Sequence, residues 1–311
     1  MAVITDPIDT APAVRPGMRR WWVVPLVAVP VGFAATCWWL TASLDDPEPS
    51  TPVAAAAPVA TPAPEPLPSW PEGRLDGEAA KRRLLDLLVG VTARLEAVEA
   101  YTATFHKQER LKGKLGAEQT IDLKVRHRPF AVYMRFHAPQ DGKEVVFAEG
   151  RNGDKMIAHG GGFARLLVPR LAVAPDHPLA LADSRHAITE AGLANLAARL
   201  VGFRKMDLED PEAETVLDKI TDAKGRVRLR SVHRHPHYHE GRPFARVEVL
   251  YDLDTTIPVD IRSFDWPGKG GDSSGELVLA EHYSYDDLNF EAPLASIDFD
   301  PANPSYQFHR Y

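Results

Sequence analysis

Ile121-Asp-Leu-Lys-Val-Arg-His-Arg-Pro-Phe-Ala-Val-Tyr-Met-Arg-Phe136 decides the fold. Ile121, Leu123 and Val125 alternate with Asp122 and Lys124, and the alternation resumes after the turn residues with Val132, Met134 and Phe136. A period of two places every second side chain on one face, so each run is a strand with one buried side. The same period marks Tyr101–Phe105, Glu144–Glu149 and Lys155–His159. It returns in Thr215–Thr221, Arg226–His233, Phe244–Asp252, Ile257–Phe264 and Glu276–Tyr285. Short links such as Arg151-Asn-Gly-Asp154 and Asp222-Ala-Lys-Gly225 join neighbours in the manner of an antiparallel meander. Two segments keep a helical period instead. Leu84, Leu88, Val91, Leu95 and Val98 lay one apolar stripe along Glu78–Val98, with Asp76 as the expected cap, and Leu193, Leu196 and Leu200 do so within Thr189–Gly202. The order is helix, five strands, loop and helix, then five strands, an α+β fold.

Upstream of this domain, Trp21 to Leu44 carries no charge. As a helix it spans about 36 Å, enough for a hydrocarbon core of about 30 Å. Tryptophan pairs stand at both ends, Arg15, Arg19 and Arg20 precede the run, and Asp45, Asp46 and Glu48 follow it. That asymmetry predicts an uncleaved anchor in the inner (cytoplasmic) membrane with a cytoplasmic N-terminus and an extracytoplasmic, periplasmic C-terminal domain. A cleaved signal peptide is the alternative. Between Pro47 and Pro71 stand nine prolines and six alanines without apolar periodicity. Such a spacer reaches about 75 Å when extended. The expected organisation is a cytoplasmic segment 1–20, an anchor 21–44, a linker 45–72 and a folded domain 73–311.

Composition excludes several classes. The only cysteine, Cys37, falls inside the anchor, so the domain forms no internal disulfide and is held by core burial. A formal charge of −7 without a large basic block gives no footprint for nucleic acid, and nothing calls for a cofactor.

Several strings carry a resemblance: Lys107-Gln-Glu-Arg110, Gln119-Thr-Ile121, Arg126-His-Arg-Pro-Phe130, Gly142-Lys-Glu-Val145, Asp183-Ser-Arg-His186, and a tail from Tyr283-Ser-Tyr-Asp-Asp-Leu-Asn289 through Phe299-Asp300 to Asn303-Pro304. From about Tyr101 to Tyr306 the chain resembles the bacterial family designated domain of unknown function 1571, to which no activity is assigned. The order of elements resembles the lipoprotein-carrier-like superfold. That resemblance implies a strongly curved antiparallel sheet, a half-barrel, wrapped around helices and leaving an apolar cavity. It also implies that Phe105, Ile121, Leu123, Val132, Met134, Phe136, Val247 and Val249 line or back the cavity. The expected ligand is a lipid, an acylated protein or another apolar envelope molecule, bound without chemistry. Arg126, Arg185 and His186, in loops at strand ends, are candidates for an anionic head group. In the plainer reading Asp183 or Ser184 caps the second helix while Arg185 pairs with an acid on the sheet.

Other function classes leave their own marks. A structural or partner-binding envelope module would need an exposed apolar patch or strand edge rather than a cavity. Gly271-Asp-Ser-Ser-Gly275 fits the pattern of a serine esterase nucleophile at Ser273, with His159-Gly-Gly-Gly162 as oxyanion string. The flanking sequence reads loop then strand, whereas a nucleophile elbow needs strand then helix. His233, His235, His237 and His239 alternate on one strand face and are weak candidates for zinc, Pro236 arguing for a hairpin tip.

Overall fold

The structure, a computed structural model, describes residue 70 and residues 72–162, 170–267 and 276–308. The expected anchor 21–44, most of the spacer and Ser273 lie outside the described residues. Among the described residues no helix is long and apolar enough to cross a membrane.

Period-two segments become strands where expected. They are β2 (Ala100–Leu111), β4 (Gln119–Arg126), β5 (Ala131–Phe136), β6 (Glu144–Ala148), β7 (Met156–His159), β9 (Glu214–Thr221), β10 (Val227–Arg234), β11 (Arg246–Asp252), β12 (Pro258–Asp265) and β13 (Val278–Asn289). Three strands of two or three residues, β1 (Leu75–Asp76), β3 (Lys114–Leu115) and β8 (Leu171–Val173), are too short to show a period. The thirteen described strands form one antiparallel sheet in the order β1-β9-β10-β11-β12-β13-β2-β4-β5-β6-β7-β8, with β3 paired to β2. It is two meanders joined edge to edge by their longest strands, β13 and β2, with β1 and β8 at the outer edges.

One wall of the core is helical. In α1 (Gly77–Ala97) the stripe Leu84, Leu88, Val91 and Leu95 is buried as its spacing requires. Asp76 has the extended backbone of a cap, but its carboxylate pairs with Arg74 instead of capping. The second helix, α2 (Leu193–Glu209), begins later and runs further than expected. Ile188–Glu190 form a 3-10 turn, and Gly192 then adopts φ +97, where a Cβ would meet Val125 Cγ1 at 3.2 Å and the Tyr101 hydroxyl at 3.3 Å. That hydroxyl accepts from the Leu193 N–H at 2.8 Å and caps the helix, so neither Asp183 nor Ser184 does. Beyond Leu200 the buried face continues as Arg204 and Asp207, charged residues that hide the period. Trp70, on the linker side of the expected boundary, packs on this core and donates to the Leu253 carbonyl at 2.8 Å.

Residues from β7, β8 and β9 share one continuous core with both helices. Twelve strands laid flat at about 4.8 Å would spread over about 53 Å, more than two helices of about 10–12 Å each can cover, so a flat sheet would leave part of its apolar face bare. On the opposite face Phe299, Tyr306 and Phe308 cover Tyr133, Val146 and Ile157, with the rings of Tyr133 and Tyr306 stacked at 3.9 Å. Coverage on both faces explains why every residue of β6 is buried.

The far end of α2 is fixed by charge. Asp207 lies 3.0 Å from His235 Nε2, 2.9 Å from Arg242 Nη1, 3.2 Å from Arg204 Nε and 3.4 Å from His233 Nδ1. None of the Arg204 nitrogens makes a hydrogen bond, so Asp207 compensates its charge by proximity alone. Burial would raise the Asp207 carboxyl, but His233, His235 and Arg204 hold it well below the carboxylate range. Replacing Asp207 with Ala should lower stability by about 3–5 kcal/mol in urea unfolding, because a buried guanidinium loses its counter-charge; a loss below about 1 kcal/mol would contradict this account. Burial and the Arg204 charge push His233 down from 6.5 to about 3. Between these values the unfolded chain binds a proton that the folded chain refuses. Stability is therefore lost as pH falls from 6.5, with a slope approaching about 1.4 kcal/mol per pH unit from this group. Unfolding midpoints from pH 7.5 to 4.5 should fall, and the fall should be shallower in His233→Gln; identical slopes would refute the assignment.

Candidate functional site

The antiparallel register of β2 and β13 builds the floor of a cavity: Phe105 faces Tyr285, Lys107 faces Tyr283 and Glu109 faces Glu281. The Phe105 ring stacks on Tyr285 and Tyr283 at centroid distances of 4.9 and 5.9 Å. Met134 and Phe136 of β5, Val145 of β6 and Met156 of β7 extend this apolar floor toward the β8 edge. Leu179 and Ile188 of the connection into α2, with Leu196 and Arg199 of the helix, stand opposite. The enclosed volume is about 750 Å³ and is partly open to solvent.

At one end of the floor lies a buried polar network. Glu109 and Glu281 sit directly across from each other, 6% and 4% exposed. Like charges in that position repel, and burial removes the water that would screen them. The segment Asp183–His186 supplies the compensation. Arg185 donates its backbone N–H to Glu109 at 3.0 Å and places Nε 3.3 Å from Glu281. His186 Nε2 lies 3.0 Å from Glu281, and its Nδ1 lies 3.1 Å from Glu190. Lys107 reaches Glu109 at 3.2 Å, the Ser184 hydroxyl at 3.0 Å and the Asp183 carbonyl at 3.1 Å. Tyr283 donates to Glu109 at 2.5 Å.

The charges follow from these contacts. Burial would raise the Glu281 carboxyl, but His186 and Arg185 hold it below the usual range. Burial opposes protonation of His186, and the Glu281 hydrogen bond outweighs it, so the imidazole is raised above 6.5. With a carboxylate at each nitrogen, the protonated ring can donate twice. Burial and both carboxylates push the Tyr283 hydroxyl far up, so it remains a neutral donor. Burial lowers Lys107 despite Glu109 beside it.

Of the residues expected to bind ligand, Phe105, Met134, Phe136 and His186 line the cavity. Ile121, Leu123, Val132, Val247 and Val249 do not; they are buried in the core cluster that the helices complete. Arg126 lies elsewhere, its guanidinium 5.0 Å above the Phe299 ring and bonded to the Pro129 carbonyl at 3.0 Å. Arg185 adjoins the cavity without lining it and pairs with Glu281 of the sheet, as the plainer reading expects. The four histidines separate. His233 and His235 are engaged by Asp207 beside two arginines, His237 is exposed on Glu212, and His239 Nδ1 accepts from the Gly241 N–H at 3.0 Å. No group of three or more potential metal ligands occurs among the described residues.

Lys107, Glu109, Arg199, Glu281, Tyr283 and Tyr285 escape the sequence reading. A signal for most of them exists: Lys107 and Glu109 are in phase with Phe105, and Glu281 with Tyr283 and Tyr285, so charge interrupts a buried face. Arg199 has only its place on the helix face after Leu196. His159-Gly-Gly-Gly162 forms part of the rim. A Cβ on Gly161 would lie 2.2 Å from the Asp141 carbonyl oxygen and 2.7 Å from Lys143 N, so glycine there serves a close backbone approach.

The His186 clasp has a pH signature. A raised imidazole contributes stability that is complete below 6.5 and is lost as pH rises through its folded value. Amide exchange at Ser184–Ala187, corrected for intrinsic rate, should therefore speed up between pH 6.5 and 9, and Glu281→Gln should abolish the change. Exchange that stays flat with pH in the unmodified chain would remove the clasp.

No curated protein matches this sequence. Among solved structures, a DUF1329 family protein from Desulfovibrio piger aligns at TM-score 0.37 and 10% identity, over 73% of this chain and 99% of that one. A putative outer membrane lipoprotein-sorting protein domain from Vibrio parahaemolyticus aligns at 0.35 and 11%, over 71% and 97%. Mycobacterium tuberculosis lipoprotein LppX aligns at 0.37 and 13%, over 70% and 99%. Likeness at this level bears on no residue or activity of this chain. The sequence is decisive where form is not: the model of the protein family of unknown function DUF1571 matches residues 98–308, the span that holds β2, Asp183–His186, β13 and the C-terminal tail, and the chain belongs to that family.

Proposed function

We propose that this protein is a non-catalytic binding protein for a lipid, an acylated protein or another apolar envelope ligand, tethered to the inner membrane by residues 21–44 with its folded domain extracytoplasmic. The cavity carries this reading. About 750 Å³ lies within the range of about 300–1,000 Å³ typical of small-molecule sites. An acyl chain leaving water gains about 0.8 kcal/mol per buried methylene. Ten methylenes against Phe105, Met134, Phe136 and Val145 would supply about 8 kcal/mol, enough to offset much of the entropy of association.

The hydrogen bonding of the cavity histidines favours binding over hydrolysis. His159 has Nδ1 2.8 Å from the Gly160 carbonyl and Nε2 3.0 Å from Glu144, and His186 is held between two carboxylates. Neither ring keeps a free nitrogen to accept a proton from a serine. A partner-binding surface has less support: the exposed large apolar residues Val89, Leu179, Val227, Tyr238, Leu277 and Ile297 are dispersed along the sequence, and the edge strands are two and three residues long.

The test is native mass spectrometry of protein purified from an envelope fraction, followed by lipid extraction. A stoichiometric acyl-bearing species is expected, and it should be lost in Ala158→Trp, which fills the cavity from β7, while thermal unfolding changes little. Protein that is free of lipid and takes up neither added lipid nor acylated peptide would sink the proposal.

A further inference from the structure

Arg199 and Tyr285 line the cavity with polar groups that the described residues leave without a hydrogen-bond partner: Nε and Nη2 of the guanidinium, whose Nη1 alone is engaged, and the phenol hydroxyl. Tyr285 is 8% exposed, lines the cavity through β13, and its hydroxyl has no hydrogen-bond partner among the described residues. Burial pushes this hydroxyl far up, so it is a neutral donor at any physiological pH. Its floor neighbour Tyr283 is saturated by Glu109, which makes the idle hydroxyl of Tyr285 the exception.

Arg199 projects from α2 into the same space. Its Nη1 lies 3.4 Å from Glu190, a carboxylate that also holds His186 Nδ1 at 3.1 Å. The same Arg199 Nη1 stands 3.3 Å from His186 Nδ1. When the imidazole is protonated Nδ1 has no lone pair, and the contact then sets two cations side by side. Arg199 lines the cavity together with Tyr283 and Tyr285 of the aromatic floor. The free Nε and Nη2 of Arg199 and the Tyr285 hydroxyl present donors to an anion in the cavity, while Glu190 engages only Nη1 of the guanidinium.

We propose that Arg199 and Tyr285 form an anion-recognising subsite, and that the ligand is a long-chain amphiphile whose carboxylate or phosphate head they hold while its chain lies on Phe105, Met134 and Phe136. This rests on the reading of the cavity as a ligand site. The guanidinium fork suits a two-oxygen anion, and the Tyr285 hydroxyl supplies a further, uncharged donor. A neutral alcohol or ester of equal chain length gains the same apolar burial but cannot form the charge-assisted hydrogen bonds with the guanidinium.

Full-length protein in phosphatidylcholine nanodiscs is labelled with hexadecanoate or hexadecanol carrying the same chain diazirine, and labelled peptides from β2, β5 and β6 are quantified against label in the bilayer. The acid should exceed the alcohol by about tenfold, the discrimination expected of a charge-assisted hydrogen bond. Arg199→Met should bring the ratio near one, Arg199→Lys should restore part of it, and Tyr285→Phe should lower it severalfold. The Tyr285→Phe ratio decides the matter if Arg199→Met does not fold. Equal labelling by acid and alcohol in the unmodified protein would overturn the head-group assignment and leave the cavity reading intact. Labelling by neither would overturn the cavity reading itself. An acid preference that survives both Arg199→Met and Tyr285→Phe would move the subsite elsewhere. Displacement of the acid by millimolar inorganic phosphate as effectively as by unlabelled hexadecanoate would assign the subsite to a free anion and end the amphiphile proposal.

Discussion

Two carboxylates, Glu109 and Glu281, face each other across the seam where the two meanders join. Apart they would be ordinary acids, but together and buried they demand positive charge from outside the sheet. The demand is met by Lys107 on the same strand and by Arg185 and His186 from the connection into α2. That connection is pinned over the sheet by charge at Asp183–His186, while Ala180, Ile188 and Ala191 pack on the apolar core. The cavity lies between this connection and the aromatic floor.

Helix α2 divides its labour along its length. Gly192, Leu196 and Arg199 border the cavity, whereas Arg204 and Asp207 enter a dry cluster with His233, His235 and Arg242. The first half borders an adaptable space. The second fixes the helix against β10 and the segment beyond it through a carboxylate whose neighbours cannot lose it. The two networks respond to acid in opposite senses. His233 resists protonation and so weakens the fold as pH falls, while His186 is protonated in its clasp and weakens it as pH rises. Both networks are satisfied together in the interval around neutrality.

Apolar alternation reveals strands because a sheet with one covered face needs one apolar side chain in two. Ten strands follow directly from it, and α1 follows from the helical period of Leu84, Leu88, Val91 and Leu95. The rule is silent on strands of two residues, and it misplaces α2, whose buried face continues as Arg204 and Asp207. It also does not separate residues that line the cavity from those buried beside it. Ile121, Leu123, Val132, Val247 and Val249 have the same pattern as Phe105 and Met134, since alternation identifies the covered face without identifying what covers it.

Local sequence by itself determined the strands, the helical stripes, the turns and the family, because each depends on residues within a few positions or on short strings. The strings Lys107–Arg110 and Asp183–His186 and the tail beginning at Tyr283 were visible as a resemblance with no stated reason for standing together. Only the tertiary structure decided that the first and last meanders meet at β2 and β13, since pairing over some 170 residues has no local signal. That one pairing brings the three strings to a single buried charge network, sets Tyr285 and Arg199 beside an open apolar floor, and sends Arg126 to the opposite face.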